Sequence, residues 1–168
     1  AQWLSEGKKI VPISVNISRT HFTREDLAEH ICRIVDKYNV PHHLIELELT
    51  ESAFFDDKRM ILNTVHKMQE LGFIVSMDDF GSGYSSLNLL TKLPLDVLKL
   101  DKEFLKDFET DSDGKIIIPS IIDMAKKLKL EVVCEGVETK EQVEFLRDVD
   151  CDIVQGYYYS KPVPLDVF

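Results

Sequence analysis

Basic residues are scarce in this chain. Twenty Lys and Arg stand against thirty Asp and Glu, a formal net charge of −10. A surface so acidic does not attract nucleic-acid phosphates or anionic lipid. A phosphate-bearing ligand is still admissible where metal ions supply positive charge locally. No apolar run approaches the roughly 18 residues needed to cross a bilayer. The opening residues, AQWLSEGKK, lack the apolar core of a secretory signal. The reading is a cytoplasmic domain with no DNA, RNA or membrane contact of its own. Cysteine is also sparse. Cys32, Cys134 and Cys151 are odd in number and far apart, so they offer neither a disulfide framework nor a zinc spacing and read as reduced, partly buried thiols. His42 and His43 fall in a Pro-His-His turn with no second ligand at helical or strand spacing, and read as surface residues. Neither glycine fingerprint for phosphate, G-x-G-x-x-G or G-x-x-x-x-G-K, follows a strand; Gly81-Ser82-Gly83 lacks the third glycine.

What is present centres on residues 73–86, FIVSMDDFGSGYSS. Gly72 marks a turn, and Phe73, Ile74, Val75 and Met77 read as a buried strand. The strand delivers two adjacent carboxylates, Asp78 and Asp79, to a glycine loop that can bend sharply. Adjacent carboxylates repel unless something positive lies near, and a divalent metal is the usual partner. The plain alternative is a cap and a solvated acid.

The 168 residues, 44% hydrophobic and 30% charged, suit one domain with a real core. Residues 1–8 read as a helix tail or linker. Strands are expected at 10–18, 45–50, 73–78, 96–100, 131–137 and 153–159. Helices are expected at 23–38, with Thr23 as N-cap and Leu27, Ile31, Ile34 and Val35 inward, and at 56–71, with Met60, Ile61, Val65, Met68 and Leu71 inward. Further helices are expected at 85–93, stopped by Pro94, at 113–128, with Pro119 in the first turn or at the start, and at 139–147, N-capped by Thr139. Six strand–helix alternations predict a parallel sheet with crossover helices, either doubly wound or a (β/α) barrel.

Nearly every strand carries a polar group at or near its C-terminal end: Asn16, Glu48, Asp78, Asp79, Lys99, Glu135 and Gln155. In a barrel those ends meet at one mouth, where barrel enzymes place their chemistry. Asn16, Glu48, Asp78 and Asp79 are hard oxygen donors, suited to Mg²⁺ or Mn²⁺ rather than zinc. Lys99 either pairs with a carboxylate or orients a water or phosphate. Glu138 has a second reading as a first-turn acid of the following helix. A carboxylate pocket holding two divalent ions can activate water and clamp a phosphoester.

The stretches SVNIS (14–18), ELTES (48–52), MDDFGSGYSSL (77–87), LKLDKEF (98–104), CEGVET (134–139) and QGYYYSKP (155–162) resemble, in order and spacing, the EAL family of cyclic di-GMP phosphodiesterases. The resemblance covers essentially the whole chain and implies a modified TIM barrel that hydrolyses cyclic di-GMP to linear pGpG. It implies Asn16, Glu48, Asp78 and Asp79 as ligands of a two-metal Mg²⁺ or Mn²⁺ site. Lys99 and Glu135 are implied as catalytic groups at the water or phosphate, supported by Glu138 and Gln155. Glu51 resembles the glutamate that steadies the loop after Asp79.

One departure stands beside the match. No Glu-Ala-Leu triplet occurs, although the family is named for it and its glutamate is a metal ligand. An arginine shortly after it, resembling a phosphate contact, is missing as well. The resemblance therefore implies a single domain over residues 1–168 that lacks the family's first two strands, an incomplete barrel of about six parallel strands. Removing strands from a closed barrel creates open edges and bares apolar surface, so homodimerisation or other self-association is expected, with little or no turnover by the chain alone. The parent is expected to be a phosphodiesterase carrying sensory or other signalling domains. The alternative is a non-catalytic cyclic di-GMP-binding or protein-interaction module. An unrelated barrel metalloenzyme would need a substrate-binding Lys or His pattern that is not found.

Overall fold

The computed structural model describes residues 1–51, 53, 58–81, 87–105, 114–164 and 167; the side chains of 58, 88 and 89 fall outside that description. Strand and helix alternate as the hydrophobic periods dictate. The elements are α1 (Gln2–Ser5), β1 (Ile13–Asn16), α2 (Leu27–Lys37), β2 (Ile45–Thr50), α3 (Lys58–Glu70), β3 (Ile74–Phe80), α4 (Leu87–Leu90), β4 (Val97–Leu100), α5 (Gly114–Lys127), β5 (Glu131–Cys134), α6 (Lys140–Asp148) and β6 (Ile153–Val154). Short 3₁₀ turns occupy Arg19–Thr23 and His42–Leu44. The strand order is that of the chain, β1-β2-β3-β4-β5-β6, and every described pairing is parallel. That is the sheet a run of strand–helix units must build.

The chain divides into two compact units, Ala1–Asp78 with Ser86–Asp96, and Asp79–Ser85 with Val97–Phe168. In the first, Leu47, Leu49, Val75 and Met77 are buried together with Ile61, Val65 and Met68 of α3. In the second, Leu98, Leu100, Val132 and Cys134 are buried, as are Ile118, Ile122 and Ala125 of α5 and Leu146 of α6. The same device starts a strand pair in each unit. Asp96 Oδ2 accepts the Val75 N–H at 2.9 Å, and Asp152 Oδ2 accepts the Val132 N–H at 2.9 Å. Each carboxylate satisfies a backbone donor that would otherwise be buried alone.

Several expected boundaries shift. The strand expected over 10–18 is ordered as β1 only between Ile13 and Asn16, where it can exchange ladder bonds with β2. Thr23 does not cap α2: it closes a 3₁₀ turn, its Oγ1 donating to Thr20 O at 2.9 Å, and Asp26 holds the N-cap position. Ile34 faces solvent; Leu27 and Ala28 are the buried residues of α2. Pro119 lies inside α5. Its ring costs a helix hydrogen bond, and the buried stripe of Ile118, Ile122 and Ala125 holds the helix through it. The final two strands end sooner than expected, at Cys134 and Val154. Residues 56, 57, 85, 86 and 113, expected at helix starts, and Ser82 and Gly83 of the expected loop lie outside the described residues. Thr139 caps α6 as expected. Its Oγ1 accepts the Gln142 N–H at 3.2 Å, and Gln142 Oε1 accepts the Thr139 N–H at 3.1 Å, a reciprocal capping box.

Candidate active site

Strand alternation sorts the first unit's sheet by chemistry. Register pairs Asn16 with Glu48, Glu48 with Ser76, and Thr50 with Asp78. Side chains two apart share a face, so Ser14, Asn16, Glu46, Glu48, Thr50, Ser76 and Asp78 form one polar face. Leu47, Leu49, Val75 and Met77 lie on the other. This is unlike an ordinary parallel sheet, which is apolar on both faces. Glu48 is 5% exposed and Asp78 9%, whereas Asn16 is exposed. The structure thus brings Asn16 and Glu48 side by side and sets Asp78 one step further along the same face.

The polarity of that face is costly without a compensating charge. Carboxylates removed from water lose several kcal/mol of hydration unless they are paired. Ser76 is fully buried, and among the described residues its Oγ has no hydrogen-bond partner. Glu51, 7% exposed just beyond β2, likewise has a buried Oε1 without a hydrogen-bond partner among the described residues. An amide oxygen, two carboxylates and neighbouring bare oxygens make a hard donor set, which fits Mg²⁺ or Mn²⁺ and fits a thiophilic ion poorly. Ser76 was passed over in the sequence because it interrupts an apolar run only once. Its signal is its place two residues before Asp78, on the same face.

Asp79 belongs to the second unit and adopts φ 55°, followed by Gly81 at φ 98°. A left-handed residue inside a strand interrupts its two-residue alternation. For an aspartate, such a conformation is uncommon and clusters at functional positions. The strand does not end at Asp78, as expected, but runs on to Phe80. The second unit also holds Lys99 and Glu135. The Lys99 Nζ is 2.6 Å from Glu135 Oε1, with the two side chains 8% and 23% exposed. Lys99 registers with Val133, and Glu135 follows two residues later on that face. Gln155 is exposed, but its backbone is built in: its N–H donates to Cys134 O at 2.9 Å, and its carbonyl accepts the Val137 N–H at 3.1 Å. Glu138 is exposed and precedes the N-cap Thr139, so it is not a first-turn acid. Its N–H donates to Gln142 Oε1 at 2.8 Å.

The EAL domain family model matches residues 1–162. The chain belongs to the EAL domain family. It is 39% identical over 159 residues to the cyclic di-GMP phosphodiesterase NbdA of Pseudomonas aeruginosa, covering 95% of this chain and 20% of that protein. The PaMucR phosphodiesterase in its c-di-GMP complex superposes with a TM-score of 0.90 at 34% identity, covering 99% of this chain and 67% of that one. Klebsiella pneumoniae BlrP1, solved with manganese and cyclic di-GMP, superposes with a TM-score of 0.83 at 26% identity, covering 90% of this chain and 39% of that one. The chain spans between a fifth and under a third of the length of the curated relatives it matches. The expected fold class is thereby shown: this EAL chain has the modified α/β barrel fold of its family, with six parallel strands. Among the described residues, no helix is long and apolar enough to cross a membrane.

His42 overturns its expectation. His43 is exposed, but the side chain of His42 is only 22% exposed and stacks on Phe73, with ring centroids 4.5 Å apart. The Pro-His-His turn reads as surface only until the turn folds under α2.

Proposed function

We propose that this EAL chain carries the hydrolytic machinery of a cyclic di-GMP phosphodiesterase. The observation that carries the reading is the polar face of Asn16, Glu48 and Asp78 on three consecutive parallel strands, its two carboxylates buried. The phosphodiesterase names of its relatives supply the substrate class.

In this reading Asn16, Glu48, Asp78 and Asp79 hold two divalent ions, Mg²⁺ or Mn²⁺. When bound, the ions supply Lewis-acid charge and lower the pKa of water. Lys99 serves the same reaction as a point charge with three donors. Its pairing with Glu135 removes rotamer freedom from a flexible stem, so the ammonium is presented in one place. It holds the attacking water or a non-bridging phosphate oxygen. Glu135 is paired with that lysine and can accept a proton from the water. Water oxygen bonds to phosphorus, one P–O3′ bond breaks, the proton passes to the leaving 3′ oxygen, and linear pGpG results. Glu51 steadies the segment after Asp79, with Glu138 and Gln155 in support. In the longer protein the domain works in the cytoplasm, beside sensory or other signalling domains.

The test is cyclic di-GMP hydrolysis by the longer protein containing this chain, in Mg²⁺ and in Mn²⁺, with product identified by chromatography. Linear pGpG formed only with metal is expected. Tight nucleotide binding without any product would turn the reading to a non-catalytic binding module.

A further inference from the structure

Cys32 and Asp36 stand one helical turn apart near the C-terminal end of α2, and the turn that follows brings His42 against both. Cys32 Sγ is 3.3 Å from Asp36 Oδ2 and 3.9 Å from His42 Nε2. His42 Nε2 is 2.8 Å from Asp36 Oδ1. One ligand atom from each residue lies within 4.8 Å of the other two. Around a tetrahedral ion, bonds of about 2.3 Å to sulfur and about 2.0–2.1 Å to nitrogen or oxygen set donors roughly 3.3–3.7 Å apart. The observed separations bracket that range, and shifts of about half an ångström in the exposed Asp36 and half-buried Cys32 side chains would meet it.

The imidazole is prepared for such a role. Its Nδ1–H donates to the Leu71 carbonyl at 2.5 Å, and its ring is clamped on Phe73 at an interplanar angle of 13°. With Nδ1 donating to Leu71, Nε2 faces the thiol and carboxylate, donating to Asp36 when it carries a proton and open to an ion when it does not. A backbone carbonyl holding the far nitrogen in this way is the usual support of a metal-binding histidine. The neighbouring cation Arg33 is drawn off to Asp26 at 3.2 Å. Each of the three residues lies in the first unit, and no site residue described above is among them.

We propose that Cys32, Asp36 and His42 form a site for a borderline divalent transition metal, Zn²⁺ above all, with water as fourth ligand. The sulfur–nitrogen–oxygen set separates it from the oxygen-only donors of the polar face, which prefer Mg²⁺ or Mn²⁺. Binding forms a metal–thiolate bond and releases the thiol proton, with any proton on His42 Nε2, to solvent; no electron is transferred. The ion would clip the end of α2 to the α3–β3 connection through His42, whose Nδ1 already holds Leu71. The site therefore serves stability or zinc sensing rather than phosphodiester chemistry.

Titration of the 168-residue chain with Co²⁺ in a phosphine reductant tests this directly. One equivalent should give a thiolate-to-cobalt charge-transfer band, and Zn²⁺ should bleach it. The oxygen-only face cannot produce that band. Cys32→Ser should abolish it, Asp36→Asn should weaken affinity about tenfold or more, and Cys151→Ser should leave it intact. Zn²⁺ should raise the melting temperature of the parent chain and leave that of Cys32→Ser unmoved. A parent chain without the band, or a band that survives Cys32→Ser, would overturn the site. Unchanged affinity in Asp36→Asn, an exposed substitution that leaves the core alone, would overturn it equally.

Discussion

Lys99 Nζ lies 2.6 Å from Glu135 Oε1, and the lysine side chain is only 8% exposed. Lys99 lies in β4 and Glu135 just past the end of the neighbouring parallel strand β5, on one side of the sheet. A cation this buried depends on its carboxylate. Lys99→Met should therefore cost about 3 kcal/mol by chemical denaturation, the low end for a broken buried pair because Glu135 is part-exposed. Combining it with Glu135→Gln should recover much of that loss, since no lone charge then remains. In the longer protein the single variant should also lose hydrolysis. Additive losses in the double variant would remove the coupling.

Asp78→Asn exchanges a buried oxygen anion for a neutral isostere. In the longer protein it should lower cyclic di-GMP turnover by about a hundredfold and weaken Mn²⁺ binding by about tenfold or more, with an unchanged or higher melting temperature. Calcium in place of manganese should suppress parental turnover, because the larger ion takes looser, higher-coordinate geometry. Parental turnover in Asp78→Asn would take Asp78 out of the metal set.

Gly81 sits at φ 98°, and a Cβ there would clash with the Phe104 ring. Gly81→Ala should cost about 2 kcal/mol or more from backbone strain and overpacking together. Adding Phe104→Ala should relieve the clash but leave the φ penalty. A Gly81→Ala chain as stable as the parent would show that this segment adjusts freely.

Gln142 is buried, and its Oε1 accepts the N–H groups of both Glu138 and Thr139. Gln142→Ala should cost about 1–2 kcal/mol, more than an exposed cap, because two donors lose their acceptor. Gln142→Glu keeps the acceptor and should cost less. Equal losses would assign the effect to side-chain volume.

Burial pushes the Cys151 thiol up to about 11 and the Cys134 thiol further still, the latter raised also by Cys151 and Glu135. Both should resist alkylation of the folded chain at pH 8 and react fully in guanidinium. Because the unfolded thiol ionises first, Cys151 contributes stability below about pH 9 that is lost as pH rises towards about 11. Denaturation midpoints of the parent and Cys151→Ser across that window should converge as the contribution fades. Parallel curves would detach the loss from Cys151.

The order of strands and helices was legible in the sequence because hydrophobic period is a local property. Residues 45–50 and 73–78 announce their strands whatever lies around them. The oxygen donors Asn16, Glu48, Asp78 and Asp79 were legible as residue types, and the motifs around them carried the family. Thr139 and Gln142 wrote their cap three residues apart. The helix expected to begin at Thr23 begins later, because a 3₁₀ turn competes for the same residues, and Pro119 sits in a helix that burial sustains.

Tertiary structure decided the rest. Register alone seats Asn16 beside Glu48 and reveals Ser76 on the same face. Packing alone turns the His42 ring inward, where Cys32 and Asp36 meet it ten and six residues back. Lys99 and Glu135 are thirty-six residues apart, and only the pairing of their strands brings nitrogen to oxygen. A chain states its local periods residue by residue, but which distant groups share one small volume depends on how the strands align and where each turn folds back.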